Sequence, residues 1–250
     1  MDNEVMKQIK ERKSVRVFED RQIEGNIKDE ILNAAFQAPT AGNMMLYSIL
    51  DITDKDLKKE LSITCDNQAF IAKAPLVLVF LADYQRWYDC FKLNDCNPRK
   101  PGQGDILLAS ADALIAAQNT VVAAQSFGIG SCYIGDILEN CERVRGLLNL
   151  PEFVIPVAML VYGYPTKQQR ERKKPIRFEK EYIVFENHYH RLDKKDHDKM
   201  HKIRNEKANL LNKDVNEDIK AFCKRKYMSE FALEMDRSGT EYLKKFKNTK

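Results

Sequence analysis

The chain has 250 residues, 44% hydrophobic and 31% charged, enough to bury a full core, and one domain with an appendage suits this length better than two equal domains. Its net charge of +4 is uneven: from Glu186 onward 17 Lys and Arg face 12 Asp and Glu, whereas the first 185 residues carry 24 against 25. Acids interleave with bases throughout that basic tail, which indicates a solvated helical extension rather than a nucleic-acid arm.

In chain order, Val5 to Lys13 reads as a short amphipathic helix. The stretch Arg12-Lys13-Ser14-Val15-Arg16-Val17-Phe18 alternates as an extended segment does, placing Arg12, Ser14 and Arg16 on one side, where two guanidiniums and a hydroxyl suit a phosphate or a flavin carbonyl. Ile27 to Ala38 is a second helix, stopped by Pro39. After the small polar loop Thr40 to Met45, Leu46 to Thr53 reads as a core strand, Asp56 to Ser62 as a helix and Ala69 to Lys73 as a helical turn. Pro75 to Asp83, apolar at consecutive positions, predicts a central strand covered on both faces. Tyr84 to Gly104 reads as a helix and then a surface loop, of a length often used for lids.

Ile106 to Phe127 predicts one helix of about 22 residues, roughly 33 Å, with apolar residues on nearly every face. It should be buried all round, by a large core or by a symmetric partner. Asp112, Gln118, Asn119 and Gln125 argue against a membrane span. Gly128, Gly130 and Gly135 bracket the short strand Ser131 to Ile134, and three glycines there suggest backbone passing close to another group, such as a ligand. Cys141 to Leu148 is a helix and Ile155 to Tyr162 a third buried strand. Lys167 to Arg177 is dominated by charge, Tyr182 to Phe185 reads as a short strand, and helices follow with apolar positions that include Ile203, Leu210 and Leu211. The order implies an α+β fold, a sheet covered by helices.

Several chemistries are excluded. The one close match to a dinucleotide fingerprint, Gly128-Ile129-Gly130, follows a helix, the wrong context for it, and no Walker motif is present. His197 and His201 stand four apart without the Glu of a zincin, so no metal site is expected. The six cysteines lack C-x-x-C spacing and read as reduced thiols. Without a leader or lipidation motif, a soluble, cytoplasmic protein is expected. With neither nucleophile nor histidine base in the core segments, the chemistry points to a cofactor.

Four segments in order then resemble the FMN-dependent nitroreductase family: Arg12 to Phe18, Ala38-Pro39-Thr40-Ala41-Gly42-Asn43, Gly128 to Gly135, and Gly163-Tyr164-Pro165 followed by Lys174-Pro175. Gln68 and Phe185-Glu186-Asn187-His188-Tyr189 are similar to the branch of oxygen-insensitive NADPH nitroreductases and flavin reductase P. The resemblance implies an α+β fold with an antiparallel-type sheet flanked by helices and the long helix at a dimer interface, and an FMN enzyme that takes hydride from NAD(P)H and reduces nitroaromatics, quinones or flavins by a ping-pong cycle. A flavin-binding redox sensor and an ene- or dehalogenating reductase are the alternatives.

By the same resemblance, Arg12, Lys13 and Ser14 belong to the FMN phosphate and ribityl site. Arg16 would stabilise the charge that hydride arrival leaves on the flavin N1 and O2. Thr40, Ala41 and Met45 would line the flavin, Gln68 would contact it, and Tyr133, Ile134 and Gly135 would form a backbone shelf. Lys174 and Arg177 would be late phosphate cations, and Arg204, Lys224 and Arg225 candidates for the NADPH phosphate. Met45 replaces a Gln usual there, and Asp136 stands where relatives often carry Gly. Residues 1–185 form the expected core and 186–250 an extension packing on the partner of a homodimer, with Tyr182 to Phe185 extending the partner's sheet.

Overall fold

The computed structural model describes residues 3–210 and 214–247. Contacts divide the chain into two compact units, Met1–Arg172 with Glu234–Lys250, and Lys173–Leu233. The first unit runs α1 (Glu4–Glu11), α2 (Gly25–Phe36), β1 (Tyr47–Asp51), α3 (Lys55–Thr64), α4 (Phe70–Lys73), β2 (Leu76–Asp83) and α5 (Gln85–Leu93). It continues with α6 (Gln103–Ser126), β3 (Gly130–Ile134), α7 (Cys141–Leu147), β4 (Val154–Gly163) and α8 (Lys167–Glu171). The four strands make one antiparallel sheet in the order β1-β2-β4-β3, so the α+β expectation holds.

All of β2 is buried because its two sets of alternate residues face different layers. Val77, Val79 and Leu81 join a core with Leu61 of α3, Ile71 of α4 and Val144 of α7; Leu76, Leu78 and Phe80 meet Ile31 of α2 and the alanines of α6. Its partner β4 contains Pro156, which a central strand tolerates poorly. The register shifts at that point: Phe80 faces Ala158 but Leu81 faces Pro156, so Val157 is bulged out and the ladder absorbs the missing N–H.

Helix α6 meets the long-helix expectation but is not buried all round. Ile106, Ala109, Ala113, Ala116, Ala117, Val121 and Ala124 face inward, small enough to let the helix close on the sheet and on α2. By length and composition it is apolar enough to cross a membrane, yet its polar residues are engaged inside the protein. The Thr120 hydroxyl shares a 2.6 Å hydrogen bond with Tyr162, and the Asn119 amide donates to the Ala34 carbonyl at 3.1 Å. Its other side exposes an apolar stripe of Leu107, Leu108, Leu114 and Ile115, from 41 to 68% accessible. A single chain therefore leaves this helix half covered.

The chain leaves α6 through Gly128, whose left-handed φ of 71° lets its own N–H reach Gln125 and that of Ile129 reach Ala124. The close backbone approach expected at these glycines is intramolecular at Gly130: a Cβ there would sit 2.6 Å from the Val15 side chain. Its absence lets the N-terminal arm lie against β3, with Ser14 bridged in parallel to Ser131 and the Val15 N–H donating to Ser131 O at 2.9 Å.

The second unit contains α9 (Lys194–Lys207), α10 (Val215–Phe222) and the start of α11 (Glu230–Lys244). Tyr182 to Phe185, expected as a strand, is instead the end of a 3-10 turn followed by irregular chain. Its β-branched Ile183 and Val184 are 63% and 57% exposed, with no ladder partner among the described residues. The residues from Glu234, expected within the extension, belong to the first unit, where Tyr242 and Phe246 are fully buried against Leu46, Ile106 and Phe153. Leu211, read as an apolar tail position, lies outside the described residues.

Candidate cofactor site

The arm after α1 carries the cations. Asn3 caps α1 through its side chain, and the chain exits at Arg12 into the extended segment along β3. Val15 points into the core, 4% exposed, while Arg16 is exposed. The Arg12 Nη1 is buried without a hydrogen-bond partner, a costly state for a guanidinium nitrogen unless an anion meets it. Ser14 is hydrogen-bonded to the Cys132 thiol; burial pushes that thiol's pKa up, while Arg16 and Arg12 pull it down. The Arg16 guanidinium lies 6.0 Å from the centre of the Phe70 ring, which brings it to the turn holding Gln68.

Lys13 is directed elsewhere: its ammonium is bound by the carbonyls of Arg170 and Arg172, at the end of α8. Arg172 in turn donates to the Ser14 carbonyl, so the late cation beside the arm is a residue that sequence reasoning missed. Lys174 and Arg177 open the second unit in an extended stretch, the first half-buried and the second exposed. In that unit Arg204 is engaged by Asp218 at 3.1 Å and stacks over Phe178, whereas Lys224 and Arg225 are exposed on the turn Cys223–Tyr227.

The turn Cys65 to Gln68 reverses the chain through Asp66 and Asn67, both at left-handed φ, and the Gln68 amide donates to Cys65 O at 2.9 Å. Tyr133, on β3, donates its hydroxyl to Gln118 of α6 at 3.3 Å, and burial pushes the phenol up to about 12. Ile134 is buried, and around the next residue, Gly135, a Cβ would meet nothing within 4 Å. A flat group has room to lie against that backbone.

Thr40, Ala41 and Met45 form a separate cluster. Asp112, 3% exposed on the inner side of α6, accepts from the Thr40 hydroxyl, from Ala41 N–H at 3.2 Å and from Leu46 N–H at 3.3 Å. Thr40 then accepts the Met45 N–H at 2.8 Å, which holds Gly42, Asn43 and Met45 at positive φ. Trp87 and Arg86 of α5 donate to the Met44 and Met45 carbonyls at 2.7 and 2.9 Å. The sequence signal for Asp112 was an acid inside an Ala-rich helix.

Within one chain these clusters are far apart. Register places Ser131 opposite Tyr162 and Leu76, but Tyr47 opposite Ala82. From the arm on β3 to the loop before β1 is three strand spacings across, roughly 14 Å, and six residues along, roughly 20 Å.

The turn after β3 is acidic. Glu139, 5% exposed, has its carboxyl pushed up to about 7 by burial, with Asp136, Asp66 and Glu234 adding repulsion. Glu234 itself is held down at about 2 by Arg237 and Ser238.

The sequence model of the Nitroreductase family matches residues 9–164, and the chain belongs to that family. It is 31% identical over 180 residues to an FMN reductase [NAD(P)H] of Bacillus subtilis (strain 168), covering 69% of this chain and 70% of that one. Among solved structures it resembles B. megaterium NfrA2, at 31% identity and TM-score 0.77, over 95% of this chain and 98% of the other. The NADPH:FMN oxidoreductase of Vibrio harveyi, complexed with NAD+, aligns with a TM-score of 0.79 at 26% identity, over 96% and 98% of the two chains.

Asp112→Ala should destabilise the protein by about 2–4 kcal/mol in urea unfolding, since three donors, two half-buried and one buried, lose their acceptor, and Asp112→Asn by less. Equal losses would show that the carboxyl oxygens are not what the loop needs. Glu139 titrates near its ordinary 4.5 when unfolded but near 7 when folded, so its contribution to stability is full below about pH 4.5 and is lost as pH rises through 7. Glu139→Gln should therefore be more stable than the parent at pH 8, by on the order of 3 kcal/mol at most, and nearly equal at pH 4.5. Paired unfolding curves at the two pH values check the sign.

Proposed function

We propose that the protein is an FMN-dependent NAD(P)H oxidoreductase that reduces nitroaromatic, quinone or flavin acceptors in a ping-pong cycle. The observation that carries this reading is the arm: a buried, partnerless Arg12 nitrogen beside Ser14, Arg16 and Arg172, a set that fits a flavin monophosphate. When bound, the cofactor's chemistry is hydride acceptance from NAD(P)H and delivery to a second substrate. Arg12 and Ser14 hold the phosphate and ribityl end, and Arg16 supplies positive charge to the reduced ring. Gln68 and the backbone of Tyr133 to Gly135 flank it. The relatives, an FMN reductase [NAD(P)H] and an NADPH:FMN oxidoreductase, support the same chemistry. The exposed Lys224 and Arg225 are the better candidates for an NADPH phosphate, Arg204 being engaged by Asp218. A soluble, cytoplasmic setting is part of the proposal.

The working unit is a homodimer. Thr40, Ala41 and Met45 stand too far from the arm of their own chain to line the same flavin, so a second chain would bring its loop to the first chain's arm. The apolar stripe Leu107, Leu108, Leu114 and Ile115 supplies surface for that pairing.

The purified protein should release about one FMN per chain on denaturation, and Arg16→Ala should slow flavin reduction by NADPH more than it weakens FMN binding. Release of FAD, or equal loss of both properties, would refute the respective assignments. Lys224→Ala with Arg225→Ala should narrow any preference for NADPH over NADH in kcat/KM; an unchanged ratio would remove these residues from the donor site. Leu108→Arg with Ile115→Arg should yield monomers with little bound FMN by sedimentation. A parent protein already monomeric and flavin-loaded at low concentration would overturn the dimer.

A further inference from the structure

A second cationic recess lies at the far edge of the sheet, unused by the cofactor reading. Beyond Asp51, the last residue of β1, the chain turns through Ile52 and Thr53 into α3, and α2 and the start of β2 complete the walls. The recess holds about 490 Å3, a volume typical of small-ligand sites. Its floor is apolar, with Ile52 at 5% and Leu76 at 4% exposure beside Pro75. Around that floor stand four ammonium groups, Lys28, Lys55, Lys58 and Lys73, against the single carboxylate of Asp51.

The charges are poorly matched. Lys28 pairs with Asp51. Lys58, half-buried, donates to the uncharged Ala74 carbonyl at 3.1 Å; burial depresses its pKa, which Asp51 pulls up and Lys28 pushes further down. Lys55 is the first, exposed residue of α3; the helix start itself is capped by the Asp54 carboxylate, which accepts the Leu57 N–H at 2.7 Å, so the positive charge of the recess comes from its lysines. An anion entering the recess would meet Lys58, Lys55 and Lys73 without displacing any ion pair of theirs that the fold uses. Sheet order separates this place from the arm by three strands, roughly 14 Å, so one anion cannot serve both.

We propose that the recess binds a small organic phosphate, its phosphate met by Lys58, Lys55 and Lys73 and its apolar part lying on Ile52, Pro75 and Leu76. Lysines bind phosphate as point charges rather than as planar forks, which suits several ammoniums arranged around one group. An anion with two negative charges offsets the excess here better than a monocarboxylate would.

The test is titration calorimetry on the full chain saturated with FMN, so that the cofactor's own phosphate site is filled. The probes are inorganic phosphate, pyrophosphate and adenosine 5′-monophosphate. The nucleotide should bind once per chain and at least tenfold more tightly than inorganic phosphate, with pyrophosphate between them. Lys58→Met should weaken the nucleotide at least tenfold, and the double variant Lys55→Ala with Lys73→Ala, both at exposed positions, at least fivefold. FMN content and the rate of NADPH oxidation in the absence of added anion should stay unchanged in the double variant. No binding of any probe, or binding that survives both variants, overturns the site; inorganic phosphate bound as tightly as the nucleotide overturns the assignment to an organic phosphate. Neither result touches the FMN reading, which is carried by Arg12, Ser14 and Arg16 beside β3, at the other edge of the sheet.

Discussion

The hydrogen bonds of Asp112 set much of what the rest of the molecule can do. A carboxylate buried on the inner side of a helix is costly unless donors meet it, and three of them come from one stretch, at Thr40, Ala41 and Leu46. The helix cannot rotate or slide without breaking them, so α6, the loop and the start of β1 are fixed as one body. The same constraint fixes which side of α6 faces the sheet. The stripe of Leu107, Leu108, Leu114 and Ile115 is left outside as a consequence.

Much of this fold was legible in the sequence. β2 and β4 announced themselves as continuous apolar runs because both faces of the sheet are covered. α6 was readable in length but not in burial: an all-round apolar helix fits a large core or a shared interface equally well, and periodicity does not distinguish them. Tyr182 to Phe185 has strand-like composition, but a strand also needs a ladder to join, and composition does not carry that information. Val15 and Gly130 illustrate the reverse case, where a glycine that looked set aside for a ligand serves the packing of the chain on itself.

The candidate site divides along the same line. Arg12, Ser14 and Arg16 followed from alternation, since an extended segment must show one set of side chains to one side. Lys13 looked equivalent in sequence yet is used to tie down the end of α8, and Arg172, more than 150 residues away in the chain, reaches the arm instead. Which cation of a charged run turns toward a site depends on where the neighbouring carbonyls fall. That is a property of the tertiary structure alone.

The arm is built from contacts of very long sequence separation. Arg16 meets Gln169 across 153 positions, and Ser14 meets Arg172 across 158. Such contacts close loops of 153 and 158 positions, and each needs β3, β4 or α8 already in place to be made. An arm assembled this way is a late product of folding. Molecules that stop short of the native state would lack it, so capture of the cofactor would act as a form of quality control, withdrawing finished chains from the folding equilibrium by mass action.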